Sequence, residues 1–233
     1  MSEQFMNDRL LTLLQLTDSA FPTGGYAFSH GLEGLFGLGL AWDAEAVVAF
    51  ARTHVEETLA GIELPMVWHA WHEAMAGHMD GLTALDALLD ALKPVPVHRV
   101  ASTRVGHRFL ESAAPLVAAE IVASYRDLVA DGTASGQHAV AFGIVSAGAG
   151  IPAPEAMVAF GATSLRGYVA AAVRLGMIGQ TAAQAIIRDL HPALIDAIDG
   201  ASRIELNELG GYSPLIDLAG LRHAAIANRL FTS

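Results

Sequence analysis

Leucine recurs on one helical face throughout this chain, and no stretch shows the polar–apolar alternation of a half-buried strand. Residues 81–92 place Leu82, Leu85, Leu88, Leu89 and Leu92 three and four apart, the spacing that stacks side chains along one side of a helix. Residues 44–60 do the same with Val47, Phe50, Ala51, His54, Val55 and Leu59, behind an N-cap at Asp43. Residues 8–17 carry Leu10, Leu11, Leu13, Leu14 and Leu16, apolar nearly all round, which predicts a short buried helix. Further helices are predicted over Gly61–His78 with Pro65 in the first turn, Val97–Ala113, Leu116–Ala130, Gln137–Ala149 and Glu155–Leu175. Thr181 is expected to cap residues 182–190, Pro192 to open a helix reaching Asn207, and Pro214 to open one running through Leu230. Phe28–Leu40, interrupted by four glycines, is expected to be helical only at its start. The pattern predicts an all-α fold, a single-domain bundle of roughly ten helices. No linker or low-complexity segment divides it, so one domain is expected over 1–233, with an ordered core over 8–230.

Composition narrows the function. Apolar residues make up 53% of the chain and charged residues only 16%, against about 25% charged in an ordinary globular protein. Either the interior is large or apolar surface meets a partner. Net charge is −11, which repels phosphate backbones and anionic lipid, so neither nucleic acid nor a membrane surface is an expected partner. The start, Met1 to Arg9, lacks the basic and apolar blocks of a secretory leader, and none is expected. The uncharged run from Gly132 to Pro154 holds Gln137, His138, several glycines and two prolines, and reads as a buried helix with loops rather than a membrane span. The chain has no cysteine, which removes disulfides, thiolate metal sites and cysteine nucleophiles, and fits the cytoplasm.

No catalytic set emerges. His69 and His72 share a helix face beside Glu73, with His78 further on, and a His-based metal-binding enzyme is the alternative reading they raise. Glu73 follows the second histidine, however, so this is not the His-Glu-x-x-His pattern of a zinc hydrolase. Ser29-His30 lacks the Gly-x-Ser-x-Gly setting of a nucleophile. The only lysine is Lys93, so no phosphate-binding Gly-Lys-Ser/Thr loop exists, and no cofactor is expected. Two features suggest docking instead. One is the stretch Leu16–Glu33, an apolar loop broken by Pro22, Gly24 and Gly25 and carrying Tyr26 and Phe28, which must pack against something. The other is the ending Arg229-Leu230-Phe231, since aromatics and arginine dominate interface energetics. The basic helix with Arg99, Arg104 and Arg108 stands out in an acidic chain.

The ordered blocks resemble one family. Gln15–Glu33 is similar to the N-terminal signature of the UreF family of urease accessory proteins. Ser102–Leu110, His138–Gly143, Arg174–Gln184, and Pro214–His223 with Arg229–Ser233 resemble its later blocks, in family order. The resemblance implies an all-helical protein that forms a homodimer and has no enzymatic activity. It implies docking on the UreD/UreH accessory protein and recruitment of the GTPase UreG, so that nickel reaches apo-urease. Tyr26 matches the aromatic of the family's opening loop and Arg229 the arginine of its last block, which implies that both help position the GTPase. Phe231 and Arg222 are added as further partner-binding candidates, while Arg174 and Gln180 are assigned structural roles. An unrelated helical scaffold is the remaining alternative.

Overall fold

The computed structural model describes residues 3–40, 43–223, 226 and 229–232. Its elements are helices: α1 Glu3–Leu16, α2 Leu32–Gly37, α3 Ala44–Thr53, a π-helical segment His54–Glu63, α4 Leu64–Ala76, α5 Met79–Leu92, α6 Pro96–Ala113, α7 Glu120–Ala130, α8 His138–Gly148, α9 Ala153–Arg174, α10 Gln180–Asp189, α11 His191–Ala201 and α12 Pro214–His223. Short 3-10 turns occupy Gly25–Ala27 and Leu206–Glu208. Among the described residues there is no strand, and the fold is all-α as expected.

Several boundaries depart from the sequence reading for physical reasons. Asp43 caps α3 by accepting from the Ala46 amide at 2.9 Å, as expected. The helix then does not stop before Gly61 but widens into the π-helical segment, which ends just before Pro65. A wide turn there relieves the clash of the proline ring with the preceding turn. Thr181 caps nothing, because Gly179 already holds the N-cap position of α10. Leu116 lies in the turn before α7 and is half exposed. The last helix ends at His223 rather than at Leu230, and Ala224, Ala225, Ala227, Asn228 and Ser233 lie outside the described residues. Contrary to expectation, α1 is not buried all round: Leu10, Leu11 and Leu14 are 51%, 65% and 57% exposed, and of its five leucines only Leu16 is buried.

The chain folds into two compact units, each built from three separated segments. The first comprises residues 1–24, 64–92 and 102–160. Its centre is the packing of α4 on α8. Residues 139–147 of α8 are all buried, which explains why that helix has no polar face. Gly143 permits the approach, since a side chain there would meet the Val67 carbonyl of α4 at 2.7 Å. The Asp86 carboxylate of α5 organises the loop before α8. It accepts from the Ser135, Gly136 and Gln137 amides at 2.5, 3.2 and 2.7 Å, and from the Tyr125 hydroxyl at 2.9 Å. Phe109, His138, Phe142 and Phe160 form an aromatic cluster.

The second unit comprises residues 25–63, 93–101 and 161–233. Here α2 packs on α12, and the π-helical segment packs on α11 and α3. The α9 helix is long and apolar enough to cross a membrane by length and composition, but half of its most apolar window is buried inside the protein, as in a core helix.

Candidate functional site

The second unit joins two segments that lie about as far apart in sequence as the chain allows. After the 3-10 turn Gly25–Ala27, His30 takes a left-handed conformation (φ 53°) and Gly31 another (φ 87°), which swings the chain into α2. This places the Glu33 side chain in the interior, where it is 5% exposed. Glu33 accepts from His223 Nε2 at 2.7 Å, from the Leu230 amide at 2.6 Å and from the Phe231 amide at 3.2 Å. A buried carboxylate is costly unless such donors meet it, and here three do. The Thr232 amide donates to the Ala27 carbonyl at 2.8 Å, completing the join.

Arg174, the last residue of α9, lies at the same place. It donates through Nη1 to the Tyr26 carbonyl, and its guanidinium lies 4.1 Å from the Phe231 ring centroid and 5.6 Å from that of Tyr26. One cation thus touches both segments. Neither Arg174 nor Glu33 could be tied to these partners from sequence, because neither belongs to a local motif with all the residues it meets.

The four residues singled out as docking candidates fall into two groups. Tyr26 is 77% exposed, and Arg229 and Arg222 are also exposed. Arg229 donates from Nε to the Ile226 carbonyl at 3.2 Å. Phe231 is buried, 4% exposed, beneath the Arg174 guanidinium. Leu230 beside it, named from sequence only as part of the Arg229–Phe231 ending, is 66% exposed.

A second polar cluster of the same unit lies deeper. His54 bonds Ser164 Oγ at 2.9 Å and stacks on Tyr168 at 5.1 Å, with the His30 ring 5.9 Å from its own. Lys93 bonds Glu63 at 2.5 Å. Burial pushes His30 below its ordinary value, His54 down to about 3 and His98 down to about 4, so all three are neutral. Burial pushes Glu63 up, but the Lys93 ammonium overrides it and holds the carboxyl at about 2.

The metal alternative finds no centre. In the first unit, Glu73 turns to His78 at 3.1 Å and His72 turns to the Trp68 carbonyl at 2.8 Å. Among the described residues no three histidine, aspartate or glutamate side chains converge as a metal site.

In the second unit the opening loop and residues 229–232 are thus joined, with Tyr26, Arg229 and Leu230 exposed beside the buried Phe231. The UreF family profile matches residues 41–191, more than half of the chain. The urease accessory protein UreF of Paenarthrobacter aurescens is 30% identical over 223 residues, covering 96% of this chain and 97% of its own. That of Mesorhizobium japonicum is 31% identical over 235 residues, covering all of both. The chain belongs to the UreF family of urease accessory proteins, and is therefore an accessory protein and not an enzyme.

Proposed function

We propose that this protein is a scaffold of urease maturation that docks on the UreD/UreH accessory protein, recruits the GTPase UreG and so supports nickel insertion into apo-urease. It acts in the cytoplasm, as a homodimer that holds two GTPases in register. The reading takes the chain as one domain over 1–233, which is supported by each compact unit drawing on three separated segments. The observation that carries the reading is the join between the opening loop and residues 229–232, which leaves Tyr26, Arg229 and Leu230 exposed while Phe231 anchors the segment from below. Aromatic and arginine side chains exposed beside a buried anchor have the composition of an interface hot spot. Arg222, exposed in the last turn of α12 beside the buried His223, is assigned to partner contact with them.

The test is retention of the GTPase on the complex of this protein with the UreD/UreH accessory protein. Tyr26→Ala and Arg229→Ala are each expected to weaken retention at least about tenfold, the usual scale for loss of a hot-spot side chain. Full retention by both variants would reject the assignment of this surface.

A further inference from the structure

We propose that Glu33 and Arg174 are the positioning residues of this surface: they fasten residues 229–232 to the opening loop, and Tyr26 and Arg229 are presented together only while that clasp is closed. The inference rests on the reading of Tyr26 and Arg229 as partner-facing, and adds what holds them.

Residues 229–232 form no helix or strand. A short irregular segment has no hydrogen-bond ladder of its own and stays in place only if other groups take up its donors. Three successive amides are taken up here. Leu230 and Phe231 donate to Glu33, and Thr232 donates to the Ala27 carbonyl. Two of the three acceptor bonds thus come from one buried carboxylate. Glu33 is itself fixed by His223, which donates from Nε2 and is fully buried. Glu33 therefore joins three parts of the chain: α2 on which it sits, the end of α12, and the final segment.

Arg174 closes the other side. Its guanidinium covers the Phe231 ring and reaches the Tyr26 ring, and its Nη1 bonds the Tyr26 carbonyl. Facing an aromatic ring and a carbonyl, a guanidinium satisfies both at once, whereas an ammonium makes only a point contact. The clasp is thus an acid on one side of the segment and a base on the other. Neither side chain is presented to a partner in this role; each acts through the backbone and rings it holds.

The test uses the full-length protein and its accessory complex. Hydrogen exchange of the Leu230 and Phe231 amides is measured for Glu33→Gln, Arg174→Ala and Arg174→Lys, with amides within α12 as the internal reference. In Glu33→Gln the new NH2 group faces amide and imidazole donors, so exchange at both amides is expected to rise about tenfold or more while α12 keeps its protection. Arg174→Ala is expected to do the same, and Arg174→Lys to restore it only in part. Each variant is then expected to lose GTPase retention in step with its loss of amide protection. Unchanged exchange at both amides in Arg174→Ala and Glu33→Gln overturns the clasp, as does equal loosening of α12, which would mark a general structural role. Should the Glu33 variant not fold, the Arg174 pair decides alone. Loosened amides with full retention also overturn the clasp. Loss of retention by Tyr26→Ala with protected amides leaves the underlying reading standing on its own result.

Discussion

Two buried carboxylates each hold together backbone that lies far away in sequence. Asp86 gathers the amides of residues 135–137 in the first unit, and Glu33 gathers those of residues 230 and 231 in the second. In both cases the charge is tolerated because backbone donors replace water. Burial and the Asp86 carboxylate push the Tyr125 hydroxyl up, so it stays a donor at any working pH. Replacing Asp86 with Ala would leave three amides and a phenol without their acceptor, and is expected to cost about 3 kcal/mol or more, read as a lower urea midpoint. A shift under about 0.5 kcal/mol would show that the loop finds other acceptors. Neither role was legible in the sequence. Asp86 and Glu33 stand among apolar helical residues, and their partners are 49 and 197 positions away at the nearest amide. Tyr26, Arg229 and Phe231 drew notice because they fall in short blocks that keep their order, but which of them lies at the surface did not follow from that: Tyr26 is exposed and Phe231 is buried.

Among the elements, close helix approach is set by glycines. A side chain at Gly34 of α2 would run into the Ala219 carbonyl of α12, and one at Gly143 would meet the Val67 carbonyl of α4. Backbone cannot yield as a flexible side chain does, so Gly34→Ala is expected to destabilise the second unit by about 1–3 kcal/mol. Because α12 ends at the His223 that holds Glu33, the same substitution is expected to raise exchange at the Leu230 amide. An unaltered denaturation midpoint and unaltered exchange would contradict this packing. Most helices were legible from their leucine spacing, since that spacing reports directly which face is buried. The π-helical segment was not, because its residues keep a helical pattern and only the ladder changes. The exposure of Leu10, Leu11 and Leu14 on α1 was not either: spacing tells that a face is apolar, not that something in the same chain covers it.

At the scale of the whole molecule, the second unit keeps three neutral histidines around the Glu63–Lys93 pair. Their folded values lie below the ordinary 6.5, so the unfolded chain binds the protons more readily. The stability this arrangement contributes is complete above about pH 6.5 and declines as pH falls through 6 toward 4. Each histidine that stays neutral at pH 5 is expected to cost about 2 kcal/mol relative to neutral pH. Glu63, held at about 2 against its ordinary 4.5, adds a further loss below about pH 4.5 in the same direction. Urea unfolding at pH 7.5 and 5.0 checks this, and equal midpoints would contradict it. The all-α class was legible because it follows from composition and pattern, whereas the join of residue 27 to residue 232 is a long-range fact that no local pattern carries. The proposed role as a scaffold makes urease activity in the cell depend on this chain. The most direct measurement is urease activity in the source cells after deletion of this gene, restored by the wild-type chain or by the Tyr26→Ala, Arg229→Ala double variant. Deletion is expected to abolish most activity, the wild-type chain to restore it and the double variant to fail to do so. Normal urease activity in the deletion strain without added nickel would contradict it.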